Sequence, residues 1–316
     1  MHPCFFYTRA TYKKYGMREI RGGPGLQIKV PPGSAFACQT PATMPKMHFL
    51  CACVGKRGSG KMVASVNLLE KLEVVDRLFY VSPSADSNSA GLARLSKMLS
   101  KEDMYSDVNN VSILSDIVSK IERERDEYEE YHRKLKKWEV SHRKIHSDTP
   151  LFHLRDDDLL TFHEGKPKHK WNGCVPCIVI YFDDIIGSQL MMGKGAREIG
   201  RLCLFHRHLG GFTDPKTPGA VGCSMLFNVQ SWKTSVGGLP KALRNNLTLM
   251  LLFKTTSAKE LADIAESVDG EIETQTFLSL CHAAWQDPHD FLMIDHHPRD
   301  AHPSGFRRNF DTFLIP

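Results

Sequence analysis

Gly55, Gly58, Gly60 and Lys61, within the run GKRGSGKM, are the residues of this chain best suited to chemistry on a phosphate. Glycines let a short loop turn with its backbone N–H groups facing inward, and a lysine at its end brings an ammonium to the outer phosphates. The run fits the spacing GxxxxGK at Gly55, Gly60 and Lys61, with Ser59 inside the loop and Met62 directly after the lysine. The apolar stretch HFLCACV (48–54) precedes it and the helical run VASVNLLEKL follows, which is the strand–loop–helix setting such a loop requires. A glycine-rich turn with a chance lysine is the plainer alternative. Position 62 departs from the pattern. Met62 stands where Ser or Thr supplies a hydroxyl to magnesium, and a thioether is a poor ligand for a hard cation. Either a water fills that ligand position, or hydrolysis is impaired while nucleotide binding persists.

A second group carries acids. CIVIYFDD (177–184) is an apolar strand pattern that ends in Asp183 and Asp184, a Walker B arrangement. The first carboxylate can hold magnesium, directly or through water, and the second can orient and deprotonate an attacking water. The next strand pattern, GCSMLFNV (222–229), runs into Gln230, whose amide can sense a γ-phosphate or position the water. Read alone, a Gln in that place is a loop residue. Arg244 comes just before the following apolar run, where it can reach across a subunit boundary to a neighbour's γ-phosphate or make a surface ion pair.

These groups need a frame that holds loops at one edge. Continuous apolar runs at 48–54, 77–83, 177–184, 222–229, 247–254 and 290–295 alternate with helical stretches, the pattern of a parallel sheet buried on both faces by helices. The segment 117–146 has no Gly or Pro and reads as a long charged helix. Ile117, Ile121, Tyr128, Tyr131, Leu135 and Trp138 line one seam with Glu124 as its single polar interruption. Acids fill its first half and bases its second, with Glu129 and Glu130 four residues before Arg133 and Lys134. It is either a solvated helix packed by its seam or a protruding element for a partner.

The chain of 316 residues carries a formal charge of +5, and residues 1–47 hold seven Lys/Arg against one acid, so the remainder is nearly neutral. Six of the 17 prolines also fall in that head. We therefore expect a basic Pro/Gly-containing extension over residues 1–45, either a contact for an anionic partner or a solvated tail, followed by an ATPase domain over 46–316 with a helical insertion at about 113–147. Nine scattered cysteines suggest mostly small core residues, and the first residues show no apolar stretch of signal-peptide length, so we expect a reducing compartment or a virus-like particle assembled there. Cys174 and Cys177 have half of a zinc spacing, and no second pair completes it. No apolar run approaches the ~20 residues that span a bilayer.

The ordered set GKRGSGK, IVIYFDD, FHRH (205–208), FNVQSW (227–232), LPKALRNN (239–246), LLFK (251–254) and RRNFDTFLI (307–315) resembles the poxvirus-type genome-packaging ATPases of nucleocytoplasmic large DNA viruses, within the FtsK-HerA superfamily. The resemblance spans residues 46 to 315. It implies an α/β P-loop NTPase fold with an additional-strand, RecA-like parallel sheet flanked by helices. It also implies a homo-oligomeric ring that uses ATP and Mg2+ to drive double-stranded DNA into a capsid, working with capsid proteins in the virion or host cytoplasm. On this resemblance Lys61 is the phosphate lysine, Asp183 the metal-side acid, Asp184 the catalytic base, Gln230 the sensor and Arg244 the arginine finger. Arg207 is a second finger candidate, supported by His208, and Met62 departs from the family pattern. A ring needs few basic residues per subunit to hold a duplex, and the segment from Lys233 to Lys241 and a loop around Lys194 and Arg197 are the places considered.

Three functions compete at this point. A DNA translocase predicts hydrolysis that rises with long duplex DNA. A degenerate nucleotide-binding or scaffold protein, disabled by Met62, predicts binding without phosphate release. A small-molecule kinase or GTPase is disfavoured because no NKxD motif is present.

Overall fold

The apolar runs become strands because each is buried from end to end. The computed structural model describes residues 39–87, 89–146, 154–214, 219–233, 239–268 and 272–316. In these, β1 (Leu50–Val54), β2 (Arg77–Val81), β4 (Ile178–Asp183), β5 (Ser224–Val229), β6 (Leu249–Phe253) and β7 (Phe291–Asp295) coincide with the six expected strands. The two-residue β3 (Met104–Tyr105) and the short β8 (Phe306–Arg308) and β9 (Thr312–Leu314) complete one sheet of nine described strands, in the order β3-β2-β4-β5-β1-β6-β7-β8-β9.

The six strands from β3 to β6 are mutually parallel, and one strand, β5, separates β1 from β4. That interposed strand is the additional-strand arrangement. From β6 onward the sheet turns antiparallel, which the expectation of a purely parallel sheet did not include. The cause lies in the connection. Two helices, α7 (Ala258–Val268) and α8 (Thr274–Ala284), follow β6, and the chain re-enters the sheet at the edge it had left, so Phe291 pairs with Phe253.

Alternate residues of each strand feed two separate cores. Leu50, Ala52 and Val54 of β1 pack with α3 (Ser112–Ile145), α5 (Gly193–Phe205), α7 and α8, while Cys51 and Cys53 face α1 (Lys61–Leu72). Strands covered on both faces read as unbroken apolar runs for this reason. The remaining helices are short: α2 (Ser89–Leu92), α4 (Asp156–Glu164) and α6 (Lys241–Arg244).

Helix α3 has 34 residues, about 50 Å at 1.5 Å per residue. Its first turns are buried through Ile113, Leu114, Ile117 and Ile121, and its second half is largely exposed and packs against α4. Glu130 pairs with Lys134 at 2.9 Å, as the spacing predicts. Glu129 instead accepts from the backbone N–H of Thr213 at 2.5 Å and from its hydroxyl at 2.7 Å. The stretch around Lys194 and Arg197 is helix α5, not a loop.

Of the expected N-terminal extension, residues 1–38 lie outside the described residues, as do residues 234–238 of the basic stretch before Lys241. Residues 40–45 are tied to the body. Thr40 and Met44 are buried, the Arg299 guanidinium donates to the Met44 carbonyl at 3.0 Å, and Arg307, fully buried, donates to the Thr43 carbonyl. Among the described residues, no helix is long and apolar enough to cross a membrane.

Candidate functional site

The chain leaves β1 at Val54 and enters α1 at Lys61, so the loop 55–60 lies at the edge of the sheet where the parallel strands end. Gly60 caps α1 with φ 97°, a left-handed conformation that a side chain would strain. At Gly55 the constraint is space, because an added Cβ would meet the Phe253 Cβ at 2.6 Å. Gly58 also has positive φ, at 78°.

Lys61 closes the loop on itself. Its Nζ donates to the carbonyl of Gly55 at 2.6 Å and to that of Lys56 at 2.9 Å. An ammonium has three donors, so the third remains for a phosphate oxygen. Partial burial pushes the Lys61 pKa down, against the attraction of Asp183, Cys53 and Asp184. The Ser59 hydroxyl is buried and has no hydrogen-bond partner among the described residues. A buried polar group in that state is costly, and an incoming oxyanion would relieve it.

The acids arrive from β4. Asp183 is the register partner of Asn228 on β5, and Asn228 in turn pairs with Cys53 on β1, so the three form a row across the strand ends. Asp183 Oδ1 accepts from Asn228 Nδ2 at 2.8 Å and Oδ2 accepts from the Tyr80 hydroxyl at 3.0 Å. The Ser65 hydroxyl donates to Asn228 Oδ1 at 2.8 Å, which turns the amide nitrogen toward Asp183 and the Tyr181 hydroxyl. Burial raises the Asp183 pKa, while the bonds from Asn228 and Tyr80 oppose the rise. Asp184 is exposed, with φ 52°, and its Oδ1 accepts from Gln230 Nε2 at 2.9 Å. Lys61 thus lies within the field of Asp183 and Asp184, and Gln230 is hydrogen-bonded to Asp184.

The residues around this edge fit a magnesium ion that arrives with a triphosphate. Each Asp183 oxygen accepts one hydrogen bond and keeps a further lone pair, and Mg2+ takes one or two carboxylates together with phosphate oxygens and water. Met62 contributes nothing to such a donor set. It is partly buried on the α1-side core, where a Cβ at Gly91 would lie 2.9 Å from its Cε.

The two arginines stand elsewhere. The Arg244 guanidinium carbon lies 5.9 Å from the Trp232 ring centroid, and its Nε is buried without a hydrogen-bond partner among the described residues. Arg207 is exposed, next to His206, whose Nε2 lies 3.0 Å from the carbonyl of His48 before β1. That is the sheet edge opposite the phosphate loop. His208 is exposed beside it.

Sequence reasoning missed Tyr80, Asn228 and Ser65 as supports of Asp183, and His289 beside the loop. For the first group the sequence shows only that Asn228 shares parity with Gln230, just past the end of β5, without naming Asp183 as its partner. His289 carried none, because its place depends on the antiparallel return of β7. A cavity of about 700 Å³ lies away from this edge, between α3 and the loop of Phe212 to Asp214.

No family model matches the chain, and no curated protein is significantly similar to it. Among solved structures it is similar to the genome packaging NTPase B204 of Sulfolobus turreted icosahedral virus 2, at 12% identity over 85% of this chain and 98% of that one, with a TM-score of 0.42. The pCW3 conjugation coupling protein TcpA is similar at 13% identity over 90% of this chain and 71% of that one, with a TM-score of 0.44. The cytoplasmic domain of the Thermomonospora curvata Type VII secretion ATPase EccC is similar at 17% identity over 81% of this chain and 24% of that one, with a TM-score of 0.36.

Proposed function

We propose that this chain is a magnesium-dependent ATPase that acts as the subunit of a ring and drives double-stranded DNA into a viral capsid. One observation carries the ATPase reading: Lys61 with its loop, and the Asp183, Asp184 and Gln230 group, meet at one edge of the sheet although 122 positions separate Lys61 from Asp183. In this reading the loop amides and Lys61 hold the phosphates, and Asp183 holds the magnesium ion, which supplies neutralisation of their charge. Asp184, steadied by Gln230, takes the proton of the attacking water.

The DNA track rests on the resemblance of the ordered motif set, and the surface of α5 agrees with it. Lys194, Arg197 and Arg201 are all exposed, at i, i+3 and i+7, hence on one face of the helix. Phosphate contacts of that kind release counterions and give salt-dependent, sequence-independent binding. Arg207, exposed and remote from its own subunit's loop, can serve only a neighbour's site, and Arg244 must leave Trp232 to do so. Capsid proteins, and a place in the virion or host cytoplasm, belong to the same reading.

A second reading has its own support in Met62, whose thioether sits in an apolar core where a hydroxyl ligand is expected. There the chain binds nucleotide as a scaffold without turning it over. Phosphate release by the purified protein with magnesium, with and without kilobase-length duplex, separates the two. The translocase reading expects release stimulated several-fold by DNA. Release indifferent to DNA contradicts it, and bound ATP with no release selects the scaffold.

A further inference from the structure

A groove of about 360 Å³ opens beside the phosphate loop, on the far side of α1's first turns from the acids' supporting row. Gly60, Val63, Ala64 and Asn67 form one wall, at i, i+3, i+4 and i+7, so they share one face of the helix. The loop before β7 forms the other wall, with Phe291 and Phe310 beneath it. Those two rings are nearly buried and meet edge to face, with centroids 5.0 Å apart. Val63 is 61% exposed, an apolar side chain left uncovered where the phosphates would end.

His289 stands at the junction of groove and loop. Its φ is 73°, a left-handed conformation that a bulky residue rarely adopts. The imidazole lies against the loop, with Nδ1 3.2 Å from the Ser59 carbonyl oxygen. Asn67 is half-buried on the opposite wall, and its amide has no hydrogen-bond partner among the described residues. Asn309 also lines the groove, but its amide is engaged by Asp290 at 2.7 Å and by the Phe291 N–H at 3.3 Å. Asp290 lines the groove too, with its oxygens engaged by Asn309 and by the Asp287 N–H at 3.0 Å, so Asn67 supplies the uncommitted amide of a slot that adjoins the phosphate loop.

We propose that this groove takes the base of the nucleotide, and that Asn67 selects adenine over guanine. The inference rests on the reading of the loop at Lys61 as a phosphate site. A purine has flat apolar faces, suited to Val63 on one side and the His289 loop on the other, and a polar edge that needs partners. An amide offers one donor and one acceptor side by side. The N7 and amino edge of adenine satisfies both, whereas the same edge of guanine presents two acceptors and leaves the amide oxygen facing a lone pair. A matched bidentate pair discriminates by about 10-fold or more.

The test is calorimetric binding of ATP, GTP and inorganic tripolyphosphate to the full chain, in the wild type and the variants Asn67→Leu, Val63→Trp and Lys61→Ala. We expect ATP to bind at least 10-fold tighter than GTP, and Asn67→Leu to erase that ratio while tripolyphosphate affinity is unchanged. Val63→Trp, at an exposed position that tolerates the larger ring, is expected to fill the slot and bring ATP down to the affinity of tripolyphosphate. An ATP-to-GTP ratio near one in the wild type, or one unmoved by Asn67→Leu, overturns the selection. ATP affinity unmoved by Val63→Trp overturns the slot. Tripolyphosphate binding that Lys61→Ala removes shows the phosphate reading to be sound in either case. Wild-type protein that binds neither tripolyphosphate nor ATP overturns both readings together.

Discussion

At the root of α3, Glu124 is 1% exposed and accepts three hydrogen bonds: Arg77 Nη1 at 2.6 Å and Lys170 Nζ at 2.8 Å on Oε1, and Trp171 Nε1 at 2.7 Å on Oε2. Arg77 also forks onto Asp103, with Nε and Nη2 each 2.8 Å from a carboxylate oxygen. Burial pushes the Glu124 carboxyl up, yet Lys170, Trp171 and Arg77 outweigh it and hold the pKa below the ordinary value. At the phosphate loop the chemistry is similar and the accounting differs. Lys61 keeps a free donor, Ser59 an unused hydroxyl, and Asp183 a spare lone pair on each oxygen, with its pKa pushed up by burial. A saturated charge cluster fastens an insertion to a domain, and an unsaturated one waits for a ligand.

Breaking the saturated cluster should have the largest effect. Glu124→Ala leaves the Trp171 N–H without a partner and removes one of the acids facing Arg77 and Lys170, which keep Asp103 and Glu127; breaking the buried pair costs about 3 kcal/mol of folding stability. Chemical denaturation monitors it, and nucleotide affinity of the protein that stays folded should not change. A loss below about 1 kcal/mol would mean that water already serves those donors.

Lys61→Ala is the opposite case. It removes two bonds within a loop and the donor aimed at phosphate, so stability should move little while phosphate release falls by about 10²–10³. Equal loss of stability and turnover would erase the distinction between the two clusters.

Much of this was legible in the chain, for identifiable reasons. Strands such as LCACV and IVIYFD are buried on both faces, and that condition writes itself as an uninterrupted apolar run. The loop was legible because Gly60, by its left-handed backbone, and Gly55, by its close approach to Phe253, both require glycine. Pairing across distance was not. Nothing local to Asn228 says that it faces Asp183, 45 positions away, and Glu124 looked like a flaw in a helical seam because Arg77 lies 47 positions before it. β7 was expected as a strand and only its antiparallel direction was not, whereas β8 and β9 escaped notice because they are three residues each, too short for a period to show.

The finest distinction comes from a matched pair of single hydrogen bonds onto carboxylates. Trp171→Phe removes the 2.7 Å bond to Glu124, and Tyr80→Phe removes the 3.0 Å bond to Asp183. Both keep the ring and delete one donor. At Glu124 two cations remain, so the change should cost about 1.5 kcal/mol of stability and leave phosphate release untouched. At Asp183 only Asn228 remains to orient the carboxylate, and its loss of position should slow magnesium-dependent release about 10-fold, with a smaller effect on stability. Side-by-side denaturation curves and release rates decide it. If Tyr80→Phe lowers stability as far as Trp171→Phe does and turnover does not move, Asp183 is a structural acid like Glu124. The difference in saturation would then carry no functional meaning.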